Sequence, residues 1–319
     1  LALALAAAFA LSLFVGRYPV TILMSPSRLA HDDMARRLVL NLRLPRLIVA
    51  VMLGIALASA GMVFQMLFGN PLVEPGFLGV SQGSAFGACL GIVFLGGQAI
   101  AVQLLSALFG FLALGGCYLV ARRARFGGWV LRLVLSGIAM SAIFSAGVGV
   151  LKFVADPLRQ LPEMTFWLLG GLSSVTWTQV RVIAPTVIVA IAVMNAMRWR
   201  LNLLSMDDAT AFSLGAAPAL ERGILVVAAV AATAAVVSVA GIISWVGLIV
   251  PHIARRVFGA DSRRALPGAA LMGGILAVLC DDVARTAMAG EISLGILTSL
   301  VGAAFFIAIL MSRNVRTER

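Results

Sequence analysis

The groups in this 319-residue chain that could carry chemistry are 13 carboxylates, two histidines, three cysteines and 24 basic residues, and their spacing assembles no reaction centre. His31 lies in an early polar loop and His252 follows Pro251; neither belongs to an HExxH pair, which would set two zinc ligands on one helix face. Cys89, Cys117 and Cys280 sit inside apolar runs without paired spacing and read as small packing residues. Lys152 is the only lysine and no GxxxxGKS/T loop occurs, so no nucleotide site of that type is expected. Catalytic residues, metal ligands and a bound cofactor are all expected to be absent. Proton- or sodium-coupled carriers place carboxylates in mid-span. Here Glu74, Asp156, Glu163, Asp207, Asp208, Glu221, Asp281, Asp282 and Glu291 fall at the ends of apolar runs or in loops, so the energy for any transport must come from outside the chain.

The elements that hold these groups are set by composition. With 61% hydrophobic and 12% charged residues and a mean hydropathy of +1.06, the chain is a polytopic, all-α integral membrane protein. A span needs about 20 apolar residues, so the length admits about ten. They are predicted at 1–15, 44–68, 77–94, 100–120, 130–154, 182–197, 224–243, 246–257, 266–283 and 292–311, in a single domain covering 1–319. The run 1–15 lacks an initiating Met and is expected to be the remainder of a first span. The 16–43 loop is expected to hold a short amphipathic helix, and Pro45 is expected to mark the start of the second span. Residues 160–171 are too short and polar-edged to span and predict an interfacial or re-entrant helix, while Pro251 interrupts the eighth element. Ten spans divide into two inverted five-helix halves. Ser59-Ala60-Gly61 and Val239-Ala240-Gly241, near the ends of the second and seventh spans, are a faint echo of such a repeat.

The net charge of +11 does not point to nucleic acid, because the basic residues are scattered at the ends of apolar runs. With the 69–76 turn in the cytoplasm, fourteen of the 24, including Arg313, Arg316 and Arg319, collect on that side, which favours this orientation with both termini cytoplasmic. The other ten, Arg17 in the first loop among them, fall on the outer face, where Arg43, Arg46 and Arg285 are interfacial side chains or a docking site for an acidic partner.

Two connections stand out. Residues 69–91, GNPLVEPGFLGVSQGSAFGACLG, predict a hinge: Pro71 drives Asn70 out of the α region and Glu74-Pro75-Gly76 delays any restart. Small residues then recur at helical spacing, allowing close backbone approach. Residues 201–222, LNLLSMDDATAFSLGAAPALER, predict two short helical stretches bent at Gly215, resting on the membrane and suited to docking a partner. Asp207 and Asp208 near the start of the first stretch suit its dipole.

The strings RLPRLIVAVMLGIALASAGMVFQMLFGNPLVEPGFLGVSQGSAFGA, WVGLIVPHIARRVFGADSRRALPGAALMGG and DDVARTAMAGEISLGILTSLVGAAFF strongly resemble FecCD/BtuC-like permeases. These are the ten-helix subunits of bacterial type II ABC importers for iron-siderophores, haem and vitamin B12. The resemblance runs from about Arg43 to the C-terminus. It implies a homodimer in the cytoplasmic (inner) membrane, two ATP-binding cassette subunits holding ATP and Mg, and a periplasmic or lipoprotein binding protein. It assigns Arg43, Arg46 and Arg285 to binding-protein docking, and Asn70 and Leu72 to a cytoplasmic gate. Asp207, Asp208, Ala211, Gly215, Ala216 and Glu221 fall in the matching ATPase-coupling segment. At the gate positions of the fifth span this chain carries Val130 and Leu131, beside Trp129, where the vitamin B12 member has small hydroxyl residues.

The implied cargo is a ferric siderophore or haem, with cobalamin or molybdate/tungstate as alternatives. An ion-coupled secondary carrier and a membrane receptor that binds without transporting are readings from other classes. Uptake without an ATPase would establish the first, and binding without uptake the second.

Overall fold

The structure, a computed structural model, describes residues 1–16, 23–288 and 290–311. Arg17, Arg313, Arg316 and Arg319, which entered the orientation argument, lie outside the described residues. Among those residues the fold is helical: α1 (Ala2–Ser12), α2 (Arg28–His31), α3 (Asp33–Leu38), α4 (Leu44–Leu67), α5 (Val80–Phe94), α6 (Ala99–Arg123), α7 (Trp129–Val154) and α8 (Gln160–Leu169) come first. They are followed by α9 (Trp177–Ala196), α10 (Arg198–Leu204), α11 (Asp208–Ser213), α12 (Pro218–Ala240), α13 (Val246–Phe258), α14 (Ser262–Thr286) and α15 (Leu294–Met311).

Among the described residues six helical runs are long and apolar enough to cross a membrane: Asp33–Leu67, α6, α7, α9, α12 and α14. The predicted first, third, eighth and tenth spans are the shorter helices α1, α5, α13 and α15. Helix α8 is the predicted short element, ending at Gly170 in a positive-φ turn.

Four expectations need correction. Pro45 stands in the first turn of α4 as expected, but no loop precedes it, because α3 runs through a π turn at Val39–Arg43 directly into α4. Pro45 has no N–H and its ring crowds the carbonyl four residues back, and the wider turn just before it accommodates both. The sixth span starts at Trp177 rather than 182, since Thr176 and Gln179 form a capping box there. The second of the two stretches expected in 201–222 is the first turn of α12, which begins at Ala217-Pro218. Pro251 does not interrupt α13, where it lies one turn inside a short helix. The repeat echo also has no common geometry: Gly61 is buried inside α4, whereas Gly241 terminates α12 at φ 70°.

Helices α4 and α12 form the centre. In each, 78% of the most apolar window is buried, against 22% in α7. Helix α4 lies against α14 and α13 at backbone contact distance. A Cβ on Gly54 would stand 2.0 Å from the Gly273 carbonyl oxygen, and one on Gly61 1.8 Å from that of Gly247. Without a hydrophobic drive between helices in lipid, such close approach supplies the packing. Helix α4 is thereby a fixed strut about 36 Å long, with the arginine motif at one end and the hinge at the other.

Candidate functional sites at the two ends of the strut

At the start of α4, Arg46 donates from Nε to Asp281 at 2.8 Å and from Nη1 to Glu291 at 2.8 Å. Arg285, one turn after Asp281 on α14, pairs with Asp281 at 3.1 Å and with Asp282, and its Nη2 reaches the Ser12 hydroxyl at 2.7 Å. Ser12, at the end of α1, donates in turn to Asp282. Arg43 donates to the Leu13 carbonyl at 2.9 Å. Three separate segments thus meet in one network, and all three predicted docking arginines belong to it. They are largely buried, at 6% exposure for Arg43 and 8% for Arg46 and Arg285, while Asp281 is fully buried. What exposure they keep faces an open cavity of about 300 Å³, shared with Ser173, Val175 and Glu291. The sequence showed Asp281 and Arg285 four apart but ended the ninth span at 283, short of Arg285, whereas α14 runs on to Thr286; it gave no sign that Arg46 is held by Asp281 and Glu291.

At the other end, Asn70 caps its own turn by accepting the Leu72 N–H at 2.9 Å, leaving Leu72 half exposed. Gln65, buried in the last turn of α4, donates to the carbonyls of Val73 at 3.3 Å and Leu248 at 3.0 Å and accepts from Arg255 at 2.6 Å. Gln65 and Arg255 were not singled out from sequence. The visible signal was one amide in an otherwise apolar run, and a buried amide requires partners. Both line a cavity of about 580 Å³ with Asn70, Asn202, Ser205 and Asp261. Helix α7 meets the hinge at Gly137, where a Cβ would stand 2.3 Å from the Phe77 carbonyl oxygen. Val130 and Leu131 lie two turns before that contact, partly buried and exposed respectively.

The 201–222 segment, expected to couple to an ATPase, is built from α10, α11 and the turn into α12. Asp207 caps α11 by accepting the Thr210 N–H at 2.9 Å. That bond, with the Thr210 hydroxyl, holds its carboxyl below the usual range. Asp261, accepting from the Arg263 N–H and the Asn202 amide, is lowered for the same reason. Asp208 pairs with Arg222 at 2.5 Å, and Glu221 lies 3.6 Å from Arg200. Gly215 turns the chain at φ 82°. Ala211 and Ala216 are buried against the body, whereas Met206, Phe212 and Leu214 are exposed. The predicted set therefore divides: Ala211, Ala216 and the largely covered Glu221 carboxylate lie inward, while Asp207 and Asp208 lie outward beside the exposed Met206, Phe212 and Leu214.

The FecCD transport family model matches residues 4–312. The molybdate import system permease protein of Haemophilus influenzae is 34% identical over 303 residues, covering 93% of this chain and 89% of that protein. A Helicobacter pylori protein described as an iron chelatin transport system permease is 37% identical, covering 86% and 82%. A solved structure described as an inward-facing conformation of a metal-chelate type ABC transporter superimposes with a TM-score of 0.89 at 34% identity, over 97% of this chain and 96% of that one. Matched nearly end to end in both sequence and structure, the chain belongs to the FecCD transport family.

Proposed function

We propose that the chain is the membrane-spanning permease of an ATP-driven importer of metal chelates, carrying a ferric siderophore or haem by alternating access in a homodimer. The observation that carries this reading is the pairing of two unlike ends on one strut: a cavity edged by three arginines at one, an exposed apolar and acidic segment at the other. In this reading the chain lies in the bacterial inner membrane with both termini in the cytoplasm. The binding protein docks its acidic residues over Arg43, Arg46 and Arg285. Two ATP-binding cassette subunits grip 201–222 through Asp207, Asp208 and Glu221, with Ala211, Gly215 and Ala216 shaping that segment.

Asn70, Leu72, Val130 and Leu131 form the cytoplasmic gate, and α4, α5, α7 and α15 line the path. Shifting a conformational ratio from 1:99 to 99:1 takes about 5.5 kcal/mol of differential binding, which nucleotide and docking protein supply jointly. Similarity to an iron chelatin permease supports the chelate, and similarity to a molybdate permease makes the oxyanion the competing cargo.

The test is ATP-dependent uptake by proteoliposomes holding the chain, its ATPase and its binding protein, with ferric siderophore, haem, cobalamin and molybdate offered in parallel. Uptake of ferric siderophore or haem that disappears without the ATPase is expected. Uptake of molybdate alone would move the cargo to the oxyanion, and uptake without any ATPase would overturn the reading.

A further inference from the structure

Among the described residues Trp245 is the one non-glycine with positive φ, at 74°. A bulky side chain rarely holds that conformation, which costs on the order of 1–3 kcal/mol and persists only where surrounding contacts enforce it. The enforcing contacts come from the hinge. The Trp245 N–H donates to the Glu74 carboxylate at 3.3 Å. Two residues on, Gly247 receives the Pro75 ring so closely that a Cβ there would stand 2.6 Å from its Cδ. Gln65 meanwhile holds the Leu248 carbonyl. The first turn of α13 is thus gripped by the segment that begins at the gate residues. Burial raises the Glu74 carboxyl above its usual range, partly offset by the bond from Trp245.

The Trp245 side chain points the other way, into α15. Its Cβ and Cγ would both lie 2.5 Å from a Cβ on Gly302, so only glycine fits there. Its ring meets Phe306 edge-on with centroids 6.1 Å apart. We propose that Glu74 is a positioning residue for transport: by fixing the backbone of Trp245 it seats the indole against Gly302 and Phe306, so that movement of the 70–78 turn is delivered to α15. This rests on the reading above only in that α15 lines the path; the linkage itself is a property of the chain alone.

The test uses the full chain in lipid nanodiscs, with spin labels at Leu72→Cys and Leu300→Cys on a small fraction of chains diluted with unlabelled chain, so that only the distance within one chain is read. Both sites are exposed, and the native cysteines are buried. One narrow distance is expected for the parent and for Glu74→Gln, which keeps an accepting oxygen. Glu74→Ala is expected to broaden or shift it. In the proteoliposome assembly, offered the same four cargoes, Glu74→Ala should lower uptake per ATP hydrolysed about tenfold, with Glu74→Gln recovering most of it. Gly302→Ala should lower the same ratio, and Trp245→Gly, which removes the indole that carries the movement, should lower it as well, with no recovery when the two are combined. An unchanged distance in Glu74→Ala, or Gly302→Ala without effect, would overturn the proposal. Failure of the parent assembly to transport would instead strike the importer reading and leave the distance result standing.

Discussion

The two ends of α4 handle charge in opposite ways. At its start, Arg46 and Arg285 converge on a fully buried Asp281, with Glu291, Asp282 and Ser12 completing their partners. At the other end, the carboxylate of Asp208 is 72% exposed and that of Asp207 caps a short surface helix. Buried charges in low dielectric are held by matched partners, and removing one leaves the others uncompensated. Exposed pairs contribute little to folding and remain available to another protein. The first end is therefore structural whatever else it does, whereas the second contributes little to folding.

The largest effect should come from Asp281→Ala, which deprives two arginines of a shared carboxylate. About 3–5 kcal/mol of stability should be lost, read as a clear fall in the thermal midpoint of the purified chain in detergent. A melt unchanged within error would break the contrast drawn here. Arg46→Glu should behave similarly, since it sets a carboxylate against Asp281 and Glu291, so it is a poor probe of docking. Arg43→Gln separates the two roles: it keeps a donor for the Leu13 carbonyl while removing a charge at the cavity. Binding-protein affinity should fall about tenfold or more with the melt little changed, measured by surface plasmon resonance.

At the opposite end, Phe212→Ala should weaken assembly with the ATPase by about 1–2 kcal/mol. Its effect on the melt should stay within about 0.5 kcal/mol. Co-purification with titrated ATPase checks the first, and loss of fold would show the segment to be structural. The smallest effect is expected of Asp208→Asn, which weakens an exposed pair and should change stability by less than about 1 kcal/mol. A larger loss would mean that this pair behaves like the buried ones.

Much of this architecture was legible. The stretches predicted at 44–68, 130–154 and 246–257 are found at Leu44–Leu67, Trp129–Val154 and Val246–Phe258. Apolar run length and proline and glycine positions are local properties, and they fix where helices can persist. The errors were local competitions that periodicity does not register. A π turn joined α3 to α4, a capping box advanced α9, and a leading proline joined the end of 201–222 to α12.

By itself, then, the sequence determined that the chain is helical and membrane-spanning and where its hinge breaks. Tertiary structure alone decided that Arg46 reaches Asp281, that Gln65 joins the hinge to α13, and that Glu74 fixes Trp245 against α15. Such pairs lie on helices far apart in the chain, brought together by Gly54 against Gly273 and Gly61 against Gly247. Helix formation follows from neighbours within a turn or two. The identity of a partner across a helix interface depends on crossing angle and depth, which the whole packed bundle sets at once.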